Sequence, residues 1–209
     1  MIWIVNFPFC NFYSFERYLR IRRFNFSLLE SGSDLNSSDL IVLPGVGTFS
    51  QAMNYLRASN LDRLIVQHAS SGGSVLGICL GMQILLNHSS ESPGIDGLGL
   101  IEGHCQLISS THNFAVPHIG WNTLIASRQP DNLFCRFVNR ETLLSLSDYY
   151  FVHSYHAILS NSENLMASFD HPDGPLTASI SSGKIVGLQF HPEKSGSAGY
   201  ALLDHIFSL

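Results

Sequence analysis

Apolar residues fall into two alternating patterns through the first half of the chain. Ile2–Asn6, Asp39–Leu43 and Ser74–Ile78 are short continuous apolar runs rich in β-branched residues, the pattern of strands buried on both faces. Between them the period changes. Phe15, Tyr18, Leu19 and Arg22 are spaced as one helical face over Phe15–Arg23, and Pro44-Gly45 closes the second strand. Thr48 or Ser50 offers a cap for a helix running to about Ala58. Leu61–Ser70 predicts the next helix, and Leu80–Asn87 a helix directly after the third strand. Strand, helix, strand in this order is the pattern of a parallel sheet with helices on both faces.

The second half has a different rhythm. Cys105–Ser109, Asn122–Ile125, Asp148–Tyr155, Leu165–Phe169, Leu176–Ile180 and Ile185–Phe190 read as strands separated by Gly, Pro, Asn and Ser clusters, with little helix between. Hairpins are expected there, so a smaller mixed or antiparallel sheet should accompany the mostly parallel one. Gly199–Phe207 predicts a closing helix with Leu202, Leu203 and Ile206 on its core face. No repeat or linker divides the chain, and one α/β domain over residues 1–209 is the expectation.

Composition removes several classes of function. The 209 residues are 45% hydrophobic and only 13% charged, enough apolar side chain for a packed core and against disorder. A formal net charge of -5 with no basic block argues against a nucleic-acid partner. No apolar run reaches the ~20 residues of a membrane span, and Met1–Phe12 lacks the basic start and small-residue cleavage site of a signal peptide. The four cysteines form no C-x-x-C pair and the ten histidines are scattered, so neither a disulfide framework nor a metal site is expected. A cytoplasmic protein with free thiols and no cofactor follows.

The chemistry is concentrated in two segments. Gly77-Ile78-Cys79-Leu80-Gly81 sits where a strand becomes a helix and has the form G-x-C-x-G, the thiol version of a nucleophile elbow. Glycines on both sides avoid Cβ clashes in so tight a turn, and the following helix start aims free N–H groups at the sulfur. A lone Cys in an apolar stretch is more often an inert core residue; the two glycines and the strand-to-helix position outweigh that. Cys10, Cys105 and Cys135 lack such surroundings and are expected to be structural. The second segment is Gln189-Phe190-His191-Pro192-Glu193, at the end of an apolar strand. In an extended segment His191 and Glu193 face the same way, and Pro192 biases His191 toward that conformation. A carboxylate can then orient one imidazole nitrogen while the other serves a thiol. His118, His153 and His156 lie on strand-like segments where surface hydrogen bonding is the simplest role. His68, His88 and His205 fall on helical patterns and are expected to be structural.

Gly77-Ile-Cys-Leu-Gly-Met-Gln83 together with Gln189-Phe-His-Pro-Glu193 resembles the class I, or triad, glutamine amidotransferases. With Pro44-Gly-Val-Gly47, Pro117-His-Ile-Gly-Trp-Asn122, Tyr150-Phe-Val-His-Ser-Tyr155 and Pro192-Glu-Lys-Ser195, the chain from residue 39 onward resembles the glutaminase subunits of imidazole glycerol phosphate synthase, of histidine biosynthesis. The resemblance implies a flavodoxin-like fold with extra strands and a Cys79–His191–Glu193 triad that hydrolyses glutamine through a glutamyl thioester. It implies an oxyanion site from backbone N–H groups around Gly45, Val46, Gly47 and Leu80. It places Gln83 and the backbone at Ser154 and Tyr155 on the amino-acid end of glutamine. It also implies a heterodimer with a TIM-barrel cyclase that receives the ammonia, with Asn11, Trp121, Asn122, Tyr150 and Lys194 toward that interface. For Trp121 and Tyr150, core packing is the competing explanation. A paralogous subunit feeding a surface-glycan pathway and a stand-alone Cys–His hydrolase are the alternative readings. The start of the chain departs from the family, which carries a Gly-containing turn after the first strand. Asn6-Phe7-Pro8-Phe9-Cys10-Asn11 has no Gly, so a stiffer, more apolar loop is expected beside Pro44–Gly47.

Overall fold

The computed structural model describes residues 1–10, 13–112, 114–127 and 148–207; Asn11 and Cys135 lie outside the described residues. In chain order the strands are β1 (Ile2–Ile4), β2 (Phe26–Leu28), β3 (Leu40–Leu43), β4 (Ser74–Ile78), β5 (His88–Ser89), β6 (Gly103–Leu107) and β7 (His118–Thr123). They continue as β8 (Ile125–Ala126), β9 (Asp148–His153), β10 (Tyr155–Leu159), β11 (Leu165–Phe169), β12 (Leu176–Ser182) and β13 (Ile185–Leu188). The helices are α1 (Tyr13–Arg22), α2 (Phe49–Ala58), α3 (Leu61–Ser70), α4 (Leu80–Gln83) and α5 (Gly196–Phe207).

Among the described residues the main sheet has eight strands in the order β2-β1-β3-β4-β13-β12-β11-β8. The first five are mutually parallel, and their order is the flavodoxin-like one. β12, β11 and β8 extend the sheet antiparallel. β10-β6-β5 form a small mixed sheet and β7-β9 an antiparallel ribbon. The predicted α/β architecture, with its smaller mixed part, is the one observed.

The two faces follow from the period of two along each strand. Ile4, Val42, Leu76 and Leu188 point to one side and pack with Phe15 and Leu19 of α1 and Leu202 and Leu203 of α5. Val5, Ile41, Leu43 and Val75 point to the other and pack with Phe49, Met53 and Leu56 of α2 and Leu61 and Ile65 of α3. Thr48 caps α2 with a full capping box, its side chain accepting from Gln51 N–H while Gln51 returns to the Thr48 N–H. His68 is buried with Nε2 3.1 Å from the Asp39 carbonyl oxygen, the structural role expected of it. No described helix is long and apolar enough to cross a membrane.

Two helical expectations need correction, and the strands expected at Asn122–Ile125 and Asp148–Tyr155 are each divided, at Leu124 and at Ser154. The helix after β4 stops at Gln83 rather than Asn87, because residues 98–100 compete for its second turn. The N–H groups of Leu98, Leu100 and Gly99 donate to the carbonyls of Ile84, Leu85 and Leu86 at 2.8, 2.8 and 3.2 Å. His88, read as falling on a helical pattern, is in strand β5, its ring stacked on His104 with centroids 5.1 Å apart.

Candidate active site

The loops that leave the carboxyl ends of β1, β3, β4 and β13 converge, as expected of ligand sites in open parallel sheets. At the end of β4, Cys79 has φ 53° and ψ −108°, a left-handed conformation that costs free energy and is held by its surroundings. Its N–H donates to the Leu188 carbonyl of β13 at 2.7 Å. The glycines around it are there for closeness. A Cβ on Gly77 would run into the Gly81 carbonyl, and one on Gly81 into the Leu43 carbonyl of β3. A Cβ on Gly45 would sit 2.6 Å from both the Gly81 nitrogen and the Leu80 Cβ. Helix α4 therefore rests directly on the ends of β3 and β4. With four residues it contributes little dipole, less than the longer helix expected from the sequence; its free N–H groups remain at the turn.

His191 leaves β13 in extended conformation (φ −100°, ψ 94°), as Pro192 dictates. Pro192–Lys194 then form a single 3-10 turn instead of the extended segment expected. The turn still brings the pair together, with Nδ1 of His191 2.7 Å from Glu193 Oε1. The imidazole is pinned from its backbone too: His191 N–H donates to the Tyr150 carbonyl at 2.8 Å, and the Ser195 hydroxyl donates to the His191 carbonyl at 2.6 Å. Nε2 makes no ideal hydrogen bond, and the group it faces is Cys79. Burial pushes the His191 pKa down, but the charge and hydrogen bonding of Cys79, joined by Glu193, overcome it and hold the pKa up at about 10. The imidazole thus keeps a proton beside the sulfur at neutral pH.

A cavity of about 290 Å³ opens on the Cys79 side. Val46, Gly47, Leu80, Gln83, Ser154 and Tyr155, all named from the sequence, line it with Pro117 and Val152. Two further lining residues, Glu91 and His153, are not legible in the sequence. Glu91 accepts the Phe49 N–H at the start of α2 through Oε2, at 2.6 Å, and is the sole carboxylate among the described lining residues. Expected at a surface, His153 is instead buried on the core face of β9, among the Phe151 and Phe169 rings. Its Nδ1 lies 2.8 Å from the Tyr155 carbonyl oxygen.

Gly45 lies in a second, smaller cavity of about 20 Å³, behind the triad, with Cys10, Val46, Ile78, His191, Glu193 and Lys194. Cys10 is therefore not remote structure, although burial raises its pKa and keeps the thiol protonated. Cys105 is buried in the core, as expected of a structural cysteine. The loop after β1 touches the Pro44–Gly47 segment as anticipated. Carbons of the Phe9 ring lie 2.8 and 2.9 Å from where a Gly47 Cβ would be, and Phe9 stacks on the buried Phe7 at 5.3 Å. Trp121 is 53% exposed, so core packing does not explain it. Its ring lies 5.6 Å from that of the half-buried Tyr150. Asn122 Oδ1 is 2.7 Å from His118 Nε2, one strand position from this exposed surface.

The glutamine amidotransferase class-I family model matches residues 10–207. The chain belongs to the class I glutamine amidotransferases. Among the relatives of this amidotransferase is the imidazole glycerol phosphate synthase subunit HisH of Geobacillus sp. strain WCH70, 34% identical over 100% of this chain and 97% of that protein. The HisH subunit of Oceanobacillus iheyensis is 41% identical over 82% of this chain and 80% of that protein. In fold the amidotransferase is similar to a chain of the Thermotoga maritima PurLQS structure. The TM-score is 0.73 at 22% identity, over 99% of this chain and 97% of that one.

The buried histidines of the amidotransferase make its stability depend on pH. Burial lowers the pKa of His153 from 6.5 to about 3. The unfolded chain therefore takes up a proton near pH 6.5 that the folded chain refuses until about pH 3. Stability is expected to fall between those values as pH drops, by about 1.4 kcal/mol per pH unit. His156, lowered to about 4 by burial, adds a smaller share because part of it meets solvent. His191 works in the opposite sense. Its pKa is raised, so its contribution is full below 6.5 and is lost as pH rises toward 10. Urea unfolding at pH 7 and pH 5 checks this; His153→Gln should flatten the acid limb, and an unchanged slope would contradict the assignment.

Proposed function

We propose that this chain is the glutaminase subunit of an imidazole glycerol phosphate synthase, hydrolysing L-glutamine to glutamate and passing the ammonia to a TIM-barrel cyclase in the cytoplasm. The observation that carries the reading is the Cys79–His191–Glu193 arrangement at the mouth of the glutamine-sized cavity. The HisH relatives support the pathway.

The Cys79 sulfur attacks the side-chain carbonyl carbon of glutamine, and the carbonyl oxygen becomes an oxyanion held by backbone N–H groups of Leu80 and the Gly45–Gly47 segment. His191, holding its proton, delivers it to the departing nitrogen, so ammonia leaves and a glutamyl thioester remains. Water then attacks the thioester with His191 as base, and the sulfur departs as glutamate is freed. Glu193 keeps His191 in the useful tautomer and balances its charge. The α-ammonium of glutamine finds its counter-charge at Glu91, the lining carboxylate. Gln83 and the backbone at Ser154 and Tyr155 complete the amino-acid end. No cofactor takes part. Trp121, Asn122, Tyr150 and Lys194 face the cyclase.

Hydrolysis without an acceptor would waste glutamine, so the isolated subunit should be slow. Gly45 and Gly47 flank Val46 and allow its peptide to turn, supplying or withholding one oxyanion donor. One such donor is worth on the order of 10²–10³-fold in kcat, which sets the expected stimulation. Ammonia release is to be measured for the pure subunit, then with saturating cyclase and acceptor ligand. Equal rates in both states would refute the coupling and favour a stand-alone hydrolase.

A further inference from the structure

The triad does not exhaust the polar groups around the sulfur. Gln189 is fully buried two residues before His191, where β13 ends, and the mechanism above gives it no task. Its Nε2 lies 3.7 Å from the Cys79 sulfur, a normal distance for an N–H donated to sulfur.

We infer that Gln189 is a catalytic residue of this amidotransferase, donating a side-chain N–H to the Cys79 sulfur in a direction imposed by a buried hydrogen-bond chain through Gln83 to the Tyr155 carbonyl. The inference rests on the glutaminase reading for its role in turnover, while the contact itself does not.

The direction follows from elimination. A backbone carbonyl only accepts, so the Gln83 atom 3.1 Å from the Tyr155 oxygen is the amide nitrogen. That nitrogen also lies 3.2 Å from the Gln189 side chain. It donates there too, so the Gln189 atom it meets is Oε1. The remaining Gln189 atom, turned to the sulfur, is Nε2 with its hydrogens. Rotating the Gln189 amide by half a turn would set two NH₂ groups against each other and a carbonyl oxygen against the sulfur. The first contact would be repulsive between two buried donors, and the second would be repulsive whenever the sulfur is a thiolate. His153 Nδ1 at 2.8 Å takes the second lone pair of the same Tyr155 oxygen, which fixes the anchor of the chain.

The donated N–H matters most when the sulfur is negative and least when it is acylated. It therefore favours the attacking thiolate and, in the second half-reaction, the thiolate that leaves as the thioester is hydrolysed. His191 covers the sulfur from its own side, and Gln189 supplies a donor that never gives up its proton. The other titratable groups near the sulfur are Glu193 behind His191, Cys10 in the loop after β1, and His153, Tyr155 and Glu91 lining the cavity. All stay unchanged in the variants below.

The test is the pH dependence of iodoacetamide alkylation at Cys79, read by peptide mass in the full-length protein, for wild type, Gln189→Leu and Gln189→Glu. Gln189→Leu should slow alkylation at pH 6–7 on the order of tenfold and lower kcat by a similar factor, with KM little changed. Gln189→Glu keeps the shape. Ionised, it sets a negative charge against the sulfur, so alkylation at neutral pH should fall further and recover toward acid as the carboxyl gains a proton to donate. If Gln189→Leu does not fold, Gln189→Glu alone decides. Wild-type alkylation profiles in the folded variants would overturn the inference. Alkylation needs no glutamine. Shifted profiles in a protein that never hydrolyses glutamine would sustain the contact and sink the proposed function instead.

Discussion

Cys79→Ala is expected to abolish glutamine-dependent ammonia production, a loss on the order of 10⁴-fold or more, while leaving synthesis from added ammonia nearly intact in the assembled enzyme. The sulfur is the one atom that forms the covalent intermediate, so nothing substitutes for it. The fold should survive. Cys79 is held in its left-handed conformation by the bond from its N–H to Leu188, which Ala retains, and the side chain lost is small. His191→Asn should be almost as severe, because it removes both the proton for the leaving nitrogen and the base for hydrolysis. Glu193→Gln should be milder, on the order of 10²–10³-fold, because Glu193 acts through the Nδ1 contact and not on substrate. Ammonia release with cyclase and acceptor present is the measurement for all three. Residual glutaminase in Cys79→Ala at even a tenth of the wild-type rate would remove the thiol from the mechanism.

The parts legible in the sequence are those set by local pattern. Ser74–Ile78 and Leu61–Ser70 were readable to the residue, because an apolar run and a periodic segment are each bounded by breakers, with Asn60 before the helix and Ser71-Gly72-Gly73 between it and the strand. The nucleophile turn was readable because only Gly at 77 and 81 permits the backbone to close there. Asn25 to Leu29 carries too short a run for β2 to register, and that strand exists because β1 offers it an open edge. The shortened α4 depends on residues 98–100 returning to its carbonyls, a contact no window of sequence contains. Glu91 and His153 reached the cavity by the same long-range route, one from the turn after β5 and one from the core face of β9. His153 shows the general difficulty. The alternation of β9 puts it on the side of Tyr149 and Phe151, but an imidazole on a strand does not announce whether its neighbours will satisfy it.

Gly81→Ala should be the most damaging single change that removes no reacting group. The methyl would overlap the Leu43 carbonyl oxygen, part of the β3 backbone, and not a side chain that can swing aside. Helix α4 must then lift off the sheet, carrying Leu80 and the Cys79 turn with it. Overpacking against an immovable neighbour costs about 3 kcal/mol, which for a chain of this size lowers Tm by roughly 6–12 °C. The activity loss should exceed that share, because displacing the sulfur by about 1 Å from its place over His191 costs on the order of 10²-fold by itself. Gly32→Ala serves as the control, since a Cβ there meets nothing within 4 Å and the backbone needs no positive φ. It should leave both Tm and rate unchanged or raise Tm slightly. Thermal unfolding and partner-stimulated glutaminase, measured on both variants, separate the effects. If Gly81→Ala keeps the wild-type Tm, α4 does not bear on β3 as described. If it loses Tm but keeps the rate, the closeness of the elbow serves the fold and not the nucleophile.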